Sequence, residues 1–312
     1  MNRLIVVVGP TAVGKSDLAM QLAQRFDCEI ISGDSMCVYR GLDIGTAKPS
    51  PADRRRIAHH LIDIRDPGES FSVVDFQKLA GEAIADINRR GKIPLLVGGT
   101  GLYVQALLEG YRFNPTPRSG QPEAALPADA ADTAALHERL DRQDPAAAAR
   151  IHPHDRKRIL RALEVLTAEE RPISQDKAAS RQGLLYECLV FGIDMERPSL
   201  YRRIDARVDR MLADGLVEEA QVIWRMDLPE TSTALQAIGY KELIDHFQGR
   251  ISLAEAVERI KQASRRYAKR QLTWFRRMPY IYWLERPADD DKTPQTVFAV
   301  AERQVAEKFS IK

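Results

Sequence analysis

Gly9-Pro10-Thr11-Ala12-Val13-Gly14-Lys15-Ser16 decides the fold of this 312-residue chain. The run fits G-x-x-x-x-G-K-[ST], a phosphate-binding loop. Leu4-Ile5-Val6-Val7-Val8 precedes it as a largely β-branched, strand-like run, and Asp17-Leu18-Ala19-Met20-Gln21-Leu22-Ala23 follows as a helix start. Strand, glycine-rich turn and helix aim backbone N–H groups and a helix N-terminus at a phosphate. Lys15 is the expected counter-charge and Ser16 the expected Mg²⁺ ligand. The loop predicts that a diphosphate or triphosphate is held, without saying which molecule carries it.

Working outward, Glu29-Ile30-Ile31-Ser32 predicts a second strand, ending in Gly33-Asp34-Ser35. Ile93-Pro94-Leu95-Leu96-Val97 predicts a third, ending in Gly98-Gly99-Thr100-Gly101. An amphipathic pattern over 71–90, opened by Ser72 and closed at Gly91, predicts a long helix; 102–108 predicts a shorter one. Strands alternating with helices imply an α/β fold, a P-loop-type parallel sheet core with helices on both faces. Ligands in such sheets lie beyond the carboxyl ends of the strands, where the loop, Asp34 and Thr100 should meet.

Residues 112–130 carry four prolines among small residues and suggest a hinge or linker. Residues 131–180 are rich in alanine and charge at helical spacing, which predicts a small helical insertion. Leu189-Val190-Phe191-Gly192-Ile193 returns the chain to the sheet. Helices are predicted over 200–212, 217–224 and 253–275, and over 296–309 after a loop at Asp289-Asp290-Asp291. The expected organisation is a first core part at 1–113, a helical insertion at 114–186, a second core part with basic helices at 187–285, and a loop plus surface helix at 286–312.

Composition narrows the class. Hydrophobic residues make up 44% and charged ones 29%, as in soluble globular chains. No apolar run approaches the ~20 residues of a membrane span, and no secretory signal precedes the first strand. A cytoplasmic, monomeric protein is expected. Cys28, Cys37 and Cys188 show no C-x-x-C spacing, and His59-His60 and His152-x-His154 lack a second ligand pair, which argues against a metal centre built from them. Net charge is only +2, yet Arg259 to Arg277 holds eight Lys or Arg and no acid. Such a segment can neutralise a phosphate backbone or be a solvated face.

The phosphate loop alone suggests an ATP-binding kinase or NTPase. Such enzymes usually place an acid after a second strand to hold the Mg²⁺ shell, and the strand at 93–97 ends without one. The acid at a strand end is Asp34, open to three readings: Mg²⁺ ligand, general base or helix N-cap. Thr100 brings a hydroxyl to the third strand end. Arg203, Arg207 and Arg210 share one helical face and suit a diphosphate, or form ion pairs with Asp205 and Asp209. Tyr267 to Arg277 interleaves basic and aromatic residues, as in binders of unstacked bases; Trp274 and Phe275 could equally be core.

Several further runs carry a resemblance: Val38-Tyr39-Arg40-Gly41-Leu42-Asp43-Ile44-Gly45-Thr46-Ala47-Lys48-Pro49, His60-Leu61-Ile62-Asp63-Ile64, Gly239-Tyr240 and Ala268-Lys269-Arg270-Gln271-Leu272-Thr273-Trp274. With the phosphate loop they make the chain resemble, over nearly its whole length, the tRNA dimethylallyltransferase family. The resemblance implies transfer of a dimethylallyl group from dimethylallyl diphosphate to the exocyclic N6 amine of the adenosine just 3′ of a tRNA anticodon, typically in tRNAs reading codons that start with U. It implies Asp34, Thr100 and Arg207 as catalytic residues and Gly9 to Ser16 as the diphosphate site. It further implies tRNA contacts from Asp34, Ser35, Met36 and Cys37, from Lys157, Arg158, Ile159, Leu160 and Arg161, from Gln236, Ala237, Ile238, Gly239, Tyr240 and Lys241, and from Lys269 and Arg270. The helical insertion would clasp the anticodon stem-loop. Residues 114–130 depart from the family pattern, and Arg118 is the candidate there for a tRNA-contacting arginine. An ATP-dependent small-molecule or nucleoside kinase is the alternative.

Overall fold

A computed structural model describes residues 1–113, 132–169, 183–229, 232–288 and 295–311. The linker with Arg118 and the Asp289-Asp290-Asp291 loop lie outside the described residues. The chain forms two compact units, one of residues 1–108 and 184–312, the other of 109–183.

The larger unit is built on a six-stranded parallel sheet. Its strands are β1 (Arg3–Val8), β2 (Cys28–Ser32), β3 (His59–His60), β4 (Ile93–Gly98), β5 (Glu187–Met195) and β6 (Ile281–Arg286). They lie in the order β3-β2-β4-β1-β5-β6. β1 is buried on both faces: Leu4, Val6 and Val8 face one apolar cluster, Ile5 and Val7 the other. Continuous β-branched sequence rather than alternation is what such a central strand requires.

Helix α1 (Lys15–Arg25) follows the phosphate loop, α2 (Pro51–Arg56) precedes β3, and α3 (Val73–Arg89) spans the long amphipathic pattern. Ser72 and Asp75 close a reciprocal capping box at the start of α3. α4 is Gly101–Glu109.

The smaller unit contains α5 (Thr133–Gln143), α6 (Pro145–Ala148) and α7 (Arg156–Glu169), packed around Leu136, Leu140, Ile159 and Leu163. The larger unit resumes with β5, then α8 (Arg197–Ala213), α9 (Leu216–Trp224), α10 (Tyr240–Phe247), α11 (Leu253–Phe275) and, beyond β6, α12 (Gln295–Phe309).

Strand order positions the site. β2, β4 and β1 are neighbours, so Gly33-Asp34, Gly98-Gly99-Thr100 and the phosphate loop emerge side by side. The Gly33 amide donates to the Val97 carbonyl at 2.7 Å, extending the ladder into the turns. A Cβ on Gly98 would lie 2.3 Å from the Gly33 carbonyl oxygen, so the two turns meet only because Gly98 has no side chain.

Candidate active site

The phosphate loop bends through left-handed backbone at Ala12 and Gly14, with φ of 64° and 100°. Its carbonyls are tied off by its own lysine and by arginines from distant segments. Lys15 Nζ donates to Pro10 O at 2.8 Å, Arg203 Nε to Ala12 O at 3.0 Å, and Arg286 Nη1 to Val13 O at 3.0 Å. Arg286 comes from the end of β6, and a Cβ on Gly14 would meet its Nη1 at 1.8 Å. With these carbonyls held by cations and the Thr11 amide held by Gln271, the start of α1 is turned to face an anion.

Gln271 of α11 fastens this loop to the β4 turn. Its Oε1 accepts from the Thr11 amide at 2.8 Å and its Nε2 donates to Gly99 O at 2.9 Å. Sequence reading placed Gln271 inside a matching run but gave it no role. The Thr100 hydroxyl accepts from the Ser35 amide at 3.2 Å and donates to Ser35 Oγ at 3.4 Å, joining the β4 and β2 turns. Tyr267 adds its hydroxyl to Thr100 and Gln271, and burial pushes that phenol's pKa up.

These turns surround a cavity of about 440 Å³ lined by residues of the larger unit. Thr11, Lys15, Ser16, Asp34, Ser35, Met36, Cys37, Arg207, Gln236, Ala237, Ile238, Gly239 and Arg270 line it. Gly9, Pro10, Ala12, Val13 and Gly14 shape the loop without lining the cavity, as Thr100 shapes the turns. Lys241 and Lys269 are exposed and outside the cavity lining, and Tyr240 is fully buried. In the smaller unit Lys157 and Arg158 are exposed, Leu160 is half-buried and Arg161 pairs with Glu164, while Ile159 is wholly buried in that unit's core.

Electrostatics single out Lys15. Burial, with help from Arg207, pulls its ammonium down to about 7, against an opposing pull from Asp34. Burial also lowers the pKa of Arg207, and Asp34 counters it. One carboxylate thus faces two cations that gain from an arriving anion. Asp34 Oδ1 accepts from the Met36 amide at 2.8 Å and the Cys37 amide at 3.4 Å. This is a capping contact, and it leaves Oδ2 without a hydrogen bond among the described residues.

Other expectations are resolved by packing. Asp205 pairs with Arg265 and Asp209 with Lys261, both on α11, so neither neutralises Arg207. Phe275 is buried core and Trp274 packs against the same apolar cluster, so of the interleaved aromatics it is Tyr267 that reaches the cavity, with Arg270 stacked 5.7 Å from its ring centre. The run Asp53-Arg54-Arg55-Arg56 is only partly a solvated face. Ser50 caps α2 on the Asp53 amide, Asp53 borders the cavity and Arg54 pairs with Asp63, while Arg55 and Arg56 are exposed. Lys48, its side chain buried, reaches Tyr39 O, Asp43 and Asp63 within 2.6 Å and locks the loop whose Gly45, Thr46, Ala47 and Pro49 form another cavity wall. His60 bonds Glu29 and His59 bonds the Ile57 carbonyl. Among the described residues no three His, Cys, Asp or Glu could share a metal ion, and no helix is long and apolar enough to cross a membrane.

Comparison with known proteins agrees with this geometry. A family model described as IPP transferase matches residues 37–278, and one described as isopentenyl transferase matches residues 2–66. The tRNA dimethylallyltransferase of Geobacillus kaustophilus is 50% identical over 286 residues, covering 91% of this chain and 90% of that protein. That of Geobacillus thermodenitrificans is 48% identical over 306 residues, covering 97% and 95%. The crystal structure of a tRNA isopentenylpyrophosphate transferase from Bacillus halodurans superposes with a TM-score of 0.75 at 41% identity, covering 99% of this chain and 97% of that one. A eukaryotic dimethylallyltransferase described acting on tRNA superposes at 0.83 and 30% identity, covering 98% and 80%. A parallel sheet with a phosphate loop at its centre, together with these matches along almost the entire sequence, establishes that the chain belongs to the IPP transferase family, that of the tRNA dimethylallyltransferases.

Proposed function

We propose that this protein transfers the dimethylallyl group of dimethylallyl diphosphate to the N6 amine of the adenosine just 3′ of the anticodon, in the cytoplasm. The observation that carries the reading is the shared cavity: a phosphate loop with two unneutralised cations on one side, and Asp34 opposite them. An adenine amine is a poor nucleophile because its lone pair is delocalised into the ring. In the transfer its nitrogen bonds to the first carbon of the prenyl group as that carbon's bond to diphosphate oxygen breaks. Asp34 takes the amine proton. The leaving diphosphate carries off the bonding pair, and the loop amides, Lys15 and Arg207 stabilise the charge as it develops. Thr100 keeps the Asp34 turn and the phosphate side in register.

A Mg²⁺ ion fits Ser16. Its hydroxyl is exposed at the start of α1 beside the cavity, and Mg²⁺ commonly takes one or two protein ligands plus phosphate oxygens and water. When bound, the ion would neutralise part of the diphosphate charge. The base must leave the stack of the anticodon loop to enter the cavity. The segments Asp34–Cys37 and Gln236–Gly239 are suited to receive it, with Lys157, Arg158 and Arg161 of the smaller unit and Lys241, Lys269 and Arg270 holding tRNA phosphates.

A kinase is not favoured: the relatives are transferases acting on tRNA by name, and β4 ends in Gly98-Gly99-Thr100 without an acid. The test is incubation with Mg²⁺, unmodified tRNA and dimethylallyl diphosphate. A dimethylallyl mass gain on adenosine is expected; its absence with folded protein, or phosphoryl transfer from ATP, overturns the reading.

A further inference from the structure

Glu219, in the first turn of α9, is a carboxylate with four donors. Its oxygens accept from the successive backbone amides of Asp43, Ile44 and Gly45 at 2.8, 2.8 and 3.0 Å, and from the Tyr240 hydroxyl at 2.5 Å. Three consecutive amides turned to one point form an anion-binding concavity, and this chain fills it with its own side chain. The Tyr240 ring closes the arrangement: a Cβ on Gly45 would lie 2.6 Å from it, so the loop and the ring touch only because Gly45 is bare. Burial and the Glu219 contact both push the Tyr240 phenol's pKa up, so it remains a donor.

Glu219 is absent from the cavity lining, yet both segments it grips are walls of that cavity. Gly45 and Thr46 line one side; Ala237, Ile238 and Gly239, immediately before Tyr240, line another. The Thr46 carbonyl also lies 3.9 Å from Cys37 Sγ, on the Asp34 turn. None of these contacts involves Gln271, Arg203 or Arg286, which hold the phosphate loop. The two halves of the cavity therefore have separate fasteners.

We infer that Glu219 is a positioning residue for the acceptor nucleobase: by binding the 43–45 amides and Tyr240 at once, it sets the separation of the two walls between which the base enters. The inference rests on the proposed prenyl transfer. The test is steady-state kinetics of the full chain as wild type, Glu219→Gln and Tyr240→Phe, with inorganic pyrophosphate binding measured alongside. A carboxamide keeps one acceptor oxygen and turns an NH₂ towards amides that are themselves donors. KM for tRNA should rise about tenfold in Glu219→Gln and about threefold in Tyr240→Phe, as expected for lost hydrogen bonds of roughly these strengths. KM for dimethylallyl diphosphate and the pyrophosphate Kd should stay within about twofold of wild type. A merely structural role would reduce the folded fraction, hence the apparent kcat, and leave KM for tRNA unmoved. An unchanged tRNA KM in both variants, or a parallel rise for the diphosphate donor, overturns the inference. If Glu219→Gln does not fold, an unchanged tRNA KM in Tyr240→Phe overturns it alone. Inactive wild-type protein would instead overturn the transferase reading itself.

Discussion

Gln271 Oε1 receives the Thr11 amide at 2.8 Å, although the two residues are 260 positions apart. Its other terminus donates to Gly99 O, so one buried amide group sets the distance between the phosphate loop and the β4 turn. Gln271→Ala removes both bonds and leaves a buried donor and acceptor unpaired, a cost of about 1–3 kcal/mol for each group. Activity should fall at least tenfold, mainly in kcat. Gln271→Glu should be no better, because it aims a carboxylate at the Gly99 carbonyl. Wild-type kcat/KM in either variant would show that the tie has no bearing on the site.

Asp34 serves both as a cap and as the proposed base, and two substitutions separate these roles. Asn keeps an Oδ1 acceptor for the Met36 amide but cannot take a proton. Asp34→Asn should therefore fold and bind tRNA like the wild type while losing about 10²–10⁴ in kcat. Asp34→Ala should lose the same turnover and some stability, about 1 kcal/mol for a missing cap. If tRNA affinity drops as far as kcat in the Asn variant, Asp34 is structural.

Lys15 gives the pH dependence a sign. Its pKa stands at about 7 in the free protein, and a bound diphosphate must raise it by favouring the ammonium. Below pH 7 the ammonium already exists and binding takes up no proton. Above pH 7 each binding event takes up one, so affinity falls by up to about tenfold per pH unit until the raised pKa of the complex is passed. KM for dimethylallyl diphosphate should climb from pH 7 to 9 in the wild type and flatten in Lys15→Arg. Calorimetry in buffers of different ionisation enthalpy should detect the proton; none taken up at pH 8 would refute the assignment.

Gly98→Ala tests the meeting of the β2 and β4 turns. The added methyl would lie 2.3 Å from a backbone oxygen, with no flexible side chain to give way. A destabilisation of about 3 kcal/mol or more is expected, at the upper end for overpacking, with loss of activity even where the protein remains folded. Thermal melts and single-turnover assays check both. At Gly91, where nothing lies within 4 Å, Ala should cost only the strain of φ 79° and leave turnover intact.

Much of the core was legible because its signals are local. The β-branched run before the loop, the Ser72 cap and the unbroken helical pattern of 253–275 each predicted an element that the structure contains. β3 is two residues long and has no periodicity to detect. β6 did carry a signal, the aromatic and apolar run Ile281-Tyr282-Trp283-Leu284 after Pro279, which lay hidden behind the basic helix. The loop Asp43 to Pro49 was recognisable as a motif, but its reason was not: Lys48, Glu219 and Tyr240 hold it from below. Likewise nothing local reveals that Arg203, Gln271 and Arg286 hold the loop, because their partners there lie about 190 or more positions away.

That separation has a consequence for how the enzyme is made. The phosphate loop leaves the ribosome early, yet Arg286, the last of its three distant fasteners, is added 272 positions after Gly14. At about 5–20 residues per second, roughly a quarter of a minute to a minute passes between the two. Throughout that interval the nascent loop lacks the full set of groups that tie back its Ala12 and Val13 carbonyls and its Thr11 amide. The loop therefore acquires its ties one after another, from Arg203, then Gln271, then Arg286, and the set is complete only when the sheet acquires its sixth strand.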